Sequence, residues 1–210
     1  MSSAGSTPSK GGQTRHVILE AAIARFGQDG YRDTSVAHIA RAAGVGGTVA
    51  YAYFPNKEAL FFAAVDEDAA AVITEAMASD FGDAPFSEWW QSLLLDILAS
   101  LERHPLARRL LAGLEPEVTV RLVDIPALEE LRTLTAERMR SEQIAGGVRL
   151  DIDPATMASA VVAVMLSLVM SAVQLGTDIV SAVGVEITAL FAAAIERAPM
   201  YSPPGGEPAR

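Results

Sequence analysis

Few residues in this 210-residue chain could do covalent chemistry. There is no cysteine, which removes thiol nucleophiles, disulfides and Cys-based zinc or iron–sulfur sites. The three histidines, His16, His38 and His104, are too scattered to suggest a metal cage. No Gly-rich phosphate loop, Gly-x-Ser-x-Gly elbow or Cys/His pair is present. The paired carboxylates Glu129-Glu130 sit among the charge pairs Glu129/Arg132, Glu137/Arg140 and Arg138/Glu142, the pattern of a solvated helix face. An enzyme is not expected, nor is a cofactor or metal. Two groups of side chains keep chemical interest. One is Thr48, Val49, Tyr51 and Tyr53 behind Gly46-Gly47, flanked by Ser35 and Lys57. It offers hydroxyls, methyls and one ammonium. The other is Trp89, Leu93 and Asp96, which share a helix face at i, i+4, i+7. A carboxylate beside tryptophan could meet a cationic ligand. Its alternative is a partly exposed Asp at the edge of an apolar stripe.

The elements that hold these groups read as helices. Strand alternation is absent, and Ala, Leu, Glu and Arg dominate. Leu19, Ala22, Ile23 and Phe26 make an apolar stripe on a first helix over 14–28, ended by Asp29-Gly30. Thr34 or Ser35 caps a short second helix with Val36, Ile39, Ala40 and Ala43 inward. Gly44 suits a left-handed turn position, and Val45 plugs the corner. A third short helix runs from Gly47 to Phe54, and Asn56 caps a long fourth helix to Ser79. Further helices are expected over 86–103, 105–114, from Asp124 or Pro126 to 145, over 154–175 and over 181–197. The domain reading is a flexible arm 1–12, a helix-turn-helix domain 13–58, a helical domain 59–198 and a flexible tail 199–210.

Charge is unevenly placed. The chain carries net charge −10. Between Lys10 and Leu60, however, six basic residues face four acidic ones, so a slightly basic head sits on an acidic body. The first dozen residues have no apolar core, so a cytoplasmic protein is expected. Pro154 to Thr177 holds no charge and is long enough to span a bilayer. Thr156, Ser159, Ser167, Ser171 and Gln174 interrupt it, and no Lys, Arg or aromatic anchors flank it closely. A helix buried in a bundle is the reading adopted, with no membrane partner.

Two short helices joined by a Gly-containing corner and braced by a first helix make a helix-turn-helix, whose third helix would enter the major groove of DNA. Thr14-Arg15, Ile18-Leu19-x-Ala21-Ala22, Phe26, Gly30-Tyr31 and Thr34-Ser35-Val36 continue into Ile39-Ala40 and Ala42-Ala43-Gly44-Val45. Tyr51-x-Tyr53-Phe54 and Lys57-Glu58-x-Leu60-Phe61 complete the set. Together they resemble the DNA-binding head of the tetracycline-repressor (TetR) family. The resemblance covers about 14–62. It departs at Gly46, where the family often has a capping Ser, and at Ala50, where a larger residue is common.

The resemblance implies an all-α protein with an N-terminal three-helix head and a helical ligand-binding and dimerisation domain. Its implied partners are operator DNA, a small-molecule effector and a second copy, joined through the helices 154–175 and 181–197. Gly47, Thr48 and Val49 match positions that face bases. The segment Gly46–Phe54 has no Arg, Lys, Asn or Gln, so bidentate base contacts are unavailable from it. Methyl contacts with thymine and shape readout remain. Ser35, Tyr51, Tyr53 and Lys57 are the phosphate candidates. Phe62, Met77, Trp89, Leu93, Asp96, Met165 and Val169 are the ligand candidates. The helix 154–175 has two apolar faces, one through Met157, Val161, Val164, Leu168 and Leu175, the other through Val162, Met165, Val169 and Val173. One is expected to meet the partner subunit and the other the subunit interior. A helical protein-interaction module and a ligand-independent regulator are the alternatives.

Overall fold

The computed structural model describes residues 10–79, 82–115 and 125–196. Among them the backbone forms nine helices and no strand beyond one isolated bridge between Val148 and Glu196. The helices are α1 (Lys10–Asp33), α2 (Val36–Ala42), α3 (Gly47–Tyr53), α4 (Lys57–Met77) and α5 (Phe86–Ser100). They continue with α6 (Pro105–Leu111), α7 (Pro126–Ala145), α8 (Pro154–Leu175) and α9 (Asp178–Ile195). The chain is all-α, a three-helix head followed by a helical body. Helix α1 begins at Lys10, so the last three residues of the expected arm are helical. Residues 1–9, the tail 199–210 and Asp124 lie outside the described residues.

The head forms where the apolar spacing requires it. Ile18, Leu19 and Phe26 of α1 are buried with Val36 and Ile39 of α2 and Ala50 of α3. Ala50 is fully enclosed, so its small side chain fits the corner without a larger residue. Ser35 caps α2 by accepting the His38 N–H at 3.2 Å. Thr34 does something else: its buried hydroxyl donates to the Gly30 carbonyl at 2.8 Å and ties α2 to the end of α1. Gly44 takes φ +70, and the Val45 N–H closes the corner onto the Ala40 carbonyl at 2.9 Å. Asn56 caps α4 by accepting the Ala59 N–H at 2.7 Å.

Helix α4 belongs to both halves. Its Phe61 meets Phe26 edge-on at 5.0 Å and Tyr31 at 4.8 Å, in the head. One turn on, Val65 faces the body. The second head-to-body contact is α6 against α1. A Cβ at Gly27 would lie 2.9 Å from the Leu106 backbone nitrogen. At Gly30, where φ is +82 and α1 bends, it would lie 2.5 Å from Arg109 Nη2 and 2.6 Å from Glu115 Oε1. Backbone meets side chain there because no Cβ intervenes.

Several helix ends are closed from a distance. The N–H groups of Phe86 and Ser87 at the start of α5 donate to Glu142 Oε2 (3.1 Å) and Glu196 Oε1 (2.9 Å). Arg138 pairs with Glu142 at 2.7 Å and donates to the Ala84 carbonyl at 2.6 Å. These two side chains are therefore part-buried structural groups rather than a solvated pair. The carboxylate reaches orphan N–H groups that α5 cannot satisfy from its own sequence.

Helix α8 is long and apolar enough to cross a membrane by length and composition. It packs against α5, α6, α7 and α9. Val161, Val162, Met165, Leu168 and Val169 are all buried within the subunit, so both apolar faces are used internally. The face left outward is a line of small residues, Ala155, Ser159, Ala163 and Ser167, at intervals of four. Leu175 at the end of α8 and Val185 and Leu190 on α9 are 73%, 69% and 63% exposed.

The two bends give a paired stability test. Gly44→Ala meets open space, so only the positive φ opposes it and a loss of about 1 kcal/mol is expected. Gly30→Ala must hold φ +82, ψ +171, a region open essentially only to glycine, and must also displace the ends of Arg109 and Glu115, so a loss of about 2–3 kcal/mol is expected. Urea unfolding of both variants checks the order. Equal losses would mean that α6 does not bear on α1 at Gly30.

Candidate nucleic-acid interface and ligand cavity

The interface is built on α3. Gly46 precedes it without a side-chain cap, as its lack of a Cβ dictates. Gly46, Gly47 and Thr48 are exposed, Val49 is 41% exposed and Tyr51 53% exposed. They share one outward surface of glycine backbone, methyls and hydroxyls. Exposed Val and Tyr on a short helix are not needed by the core, which α3 reaches through Ala50. Ser35 lies partly buried at the start of α2. Tyr53 is partly buried against the core, so its ring packs while one edge reaches the surface. The structure thus brings Ser35, Gly46, Gly47, Thr48, Val49, Tyr51 and Tyr53 onto the compact α2–α3 unit.

Lys57 has a structural task. Its Nζ donates to the Arg32 carbonyl at 3.2 Å and lies 4.4 Å from the Tyr31 ring centroid. The ammonium thereby pins the first turn of α4 to the end of α1. Arg15 makes a similar contact over the Phe54 ring at 5.4 Å.

The body contains a half-open cavity of about 270 Å³. Helix α4 contributes Val65, Ala69, Val72 and Ile73, and α5 contributes Ile97 and Leu101. Ala107, Leu110 and Leu111 come from α6. Ile125 and α7 supply a third wall with Leu128 and Leu131. Helix α8 closes it with Val162, Met165, Leu166, Val169 and Met170. The aliphatic side chains that line it forgo the packing and burial that a closed core would give them. Packing optimised for stability alone would close it.

Of the ligand candidates read from sequence, Met165 and Val169 line this cavity; Phe62, Met77, Trp89, Leu93 and Asp96 do not. The reason is the rotation of α5. Its tryptophan side turns into the core, where Trp89 packs on Phe86 at 5.3 Å and Trp90 meets Phe191 edge-on at 4.8 Å. Asp96 is partly exposed, away from the cavity. The residues that sequence reasoning missed are aliphatics on α4, α5, α6, α7 and α8, Ile125, and Met170. No signal distinguishes them, because a cavity wall and a filled core use the same residue types at the same spacing.

Two polar clusters hold the cavity walls and also escaped the sequence reading. Asp68, buried on α4, takes His104 Nδ1 at 2.8 Å on one oxygen and the Ala107 N–H at 2.8 Å on the other. This fixes the first turn of α6 to α4. His104 Nε2 faces Glu75 Oε1 at 3.2 Å without hydrogen-bond geometry, and Arg103 Nε donates to Glu75 Oε2 at 2.9 Å. The second cluster joins α6 to the head: Glu115 Oε1 accepts from Arg109 Nε at 2.7 Å and from the Tyr31 N–H at 3.1 Å.

Residues 18–64 match the family described as bacterial regulatory proteins, tetR family. A comparison with curated proteins found no match. Among solved structures, a TetR-family transcriptional regulator from Pectobacterium atrosepticum superposes with TM-score 0.68 at 20% identity, covering 92% of this chain and 99% of that one. A protein classed with the tetR family regulators from Shewanella sp. PV-4 gives 0.62 at 24% identity, covering 88% and 99%. A TetR-family regulator from Cytophaga hutchinsonii gives 0.62 at 18% identity, covering 92% and 100%. At these identities the likeness is one of fold, and it extends over head and body together.

The Arg103 hydrogen bond, and then His104, hold the Glu75 carboxyl below its ordinary value of 4.5. The folded state therefore favours the charged form. Its stabilising contribution is present above about pH 4.5 and is lost as pH falls through the lowered folded value. Glu75→Gln is expected to lower Tm near neutral pH, with the gap closing in acid. A gap that stays constant into acid would show that the carboxylate charge is not what holds Arg103.

Proposed function

Because residues 18–64 belong to the tetR family of bacterial regulatory proteins and the whole chain folds as its solved members do, we propose that this protein is a ligand-responsive transcriptional repressor. It acts in the cytoplasm, as a homodimer, on a palindromic operator. The observation that carries this reading is the shared use of α4 and α6. Both line the cavity, and both touch the head, α4 through Phe61 and α6 through Gly27 and Gly30. A ligand that changes the cavity must act on the elements that set the head's orientation.

The outward small-residue face of α8 and the exposed Leu175, Val185 and Leu190 support the second copy. Small residues let helices approach closely, and exposed aliphatics of this size favour burial. Leu175, on one of the two apolar faces read from sequence, stays exposed at the end of α8 and is available to the partner. A two-fold dimer must present its α3 helices about 34–36 Å apart, one turn of DNA. Ligand binding favours a different spacing, and release follows from its differential affinity for the two.

At the DNA, Thr48 and Val49 read thymine methyls while Gly46 and Gly47 permit close backbone approach. Ser35, Tyr51, Tyr53 and the N-terminus of α4 near Lys57 contact phosphates. With few cations per head, the salt dependence is modest. Selection from a random duplex pool is expected to return a palindromic, thymine-rich site. Replacing thymine by uracil under α3 removes only the methyl, and affinity should fall about fourfold per buried methyl. A consensus resting on guanines under α3, with no uracil effect, would overturn the readout. Retention by heparin without any selected sequence would favour the interaction-module reading.

A further inference from the structure

We propose that the cavity takes the saturated hydrocarbon chain of an uncharged amphiphile, with the polar end left at the opening. This rests on the ligand-responsive reading above and specifies its ligand. Among the described residues, every side chain lining the cavity is aliphatic or methionine. None carries a nitrogen or oxygen, and none is aromatic.

Among the described residues, the lining offers an ionised group no polar partner. An ionised group, or even a hydroxyl, brought to the inner end would lose water and gain no hydrogen bond. Several polar side chains on the wall helices are held by other groups, and His104, whose Nε2 faces Glu75, does not line the cavity. Asp68 is satisfied by His104 and the Ala107 N–H, Asp66 accepts the Ala127 N–H at 2.9 Å, and Gln174 donates to the Leu111 carbonyl at 2.8 Å. The absence of rings decides against planar cations, which need an aromatic face to replace lost hydration. Trp89 and Asp96, the pair that would have suited such a cation, are elsewhere. Aliphatic walls with two adaptable methionines, Met165 and Met170, suit a flexible chain instead. The volume of about 270 Å³ leaves room for a chain of several methylenes.

The test is calorimetric titration of the full chain with the straight-chain primary alcohols from hexanol to tetradecanol, without DNA. Affinity is expected to rise about fourfold per methylene and then level off near the length that fills the cavity. 1,10-Decanediol must bury a second hydroxyl, so it is expected to bind at least about tenfold more weakly than 1-decanol. Decyltrimethylammonium, whose chain is matched, should bind no better than the alcohol.

Ala69→Leu and Val169→Leu extend into the cavity. Each is expected to keep or raise Tm, and Ala69→Leu should shorten the plateau length by about three carbons. Using two variants guards against one that fails to fold. A plateau unchanged in folded variants would overturn the proposal, as would equal binding of decanol and decanediol, tighter binding of the cation, or no binding of any alcohol. Operator release is read separately by fluorescence anisotropy. Decanol that binds with this chain-length pattern yet leaves DNA bound upholds the ligand class and defeats the regulatory reading. DNA binding without alcohol binding does the reverse.

Discussion

Helix α6 lies so close to α1 that its Leu106 nitrogen would sit 2.9 Å from a Cβ at position 27, and only glycine permits this. Pro105 opens α6 at the same contact, and its rigid ring packs where a longer side chain would hold the helices apart. With that approach go the bend at Gly30, the Glu115 carboxylate that accepts from both Arg109 and the Tyr31 N–H, and the orientation of α6 that turns Ala107, Leu110 and Leu111 to the cavity. Asp68 locks the same first turn of α6 to α4. A seven-residue helix is marginal alone. Here it is held from both sides, so it moves only with the elements it joins.

The cavity and the head are linked by single helical turns. Phe61 belongs to the aromatic cluster of the head, and Val65, one turn later, belongs to the cavity wall. Packed interiors transmit displacement because they are dense and have few voids to absorb it. A void of this size placed between α4 and α6 is therefore both a stability cost and a mechanical input. The aliphatic lining makes that input respond to the volume and length of an occupant rather than to its charge. On the DNA side the chemistry is similarly sparse: α3 presents backbone, methyls and hydroxyls, and lacks the long donors that read guanine and adenine directly.

Much of this was legible in the chain itself. The stripe through Leu19, Ala22 and Phe26, the Ser35 and Asn56 caps, and the turn at Gly44 each depend on neighbours within a few residues. Local geometry and local hydrogen bonds decide them, so residue type and spacing suffice. Helix α8, expected over 154–175, has those ends, with Asp153 accepting the Thr156 N–H and Gly176 following the last turn. The exposed α3 surface was legible because its residues, Thr48, Val49 and Tyr51, are not required by any core stripe.

Other features depended on which distant helices meet. Glu142 and Glu196 cap α5 from 56 and 109 residues away, and nothing near Phe86 announces them. Trp89 and Asp96 shared a helix face as expected, but the rotation of α5 in the bundle turned that face from the cavity. Both apolar faces of α8 went to the subunit interior, leaving its small residues outward. The helices, their local caps and the chemical character of α3 follow from residue type and spacing, because short-range hydrogen bonding and periodic burial set them. Where packing leaves space depends on which helices meet, since a void is a property of several surfaces that fail to meet and no single segment encodes it.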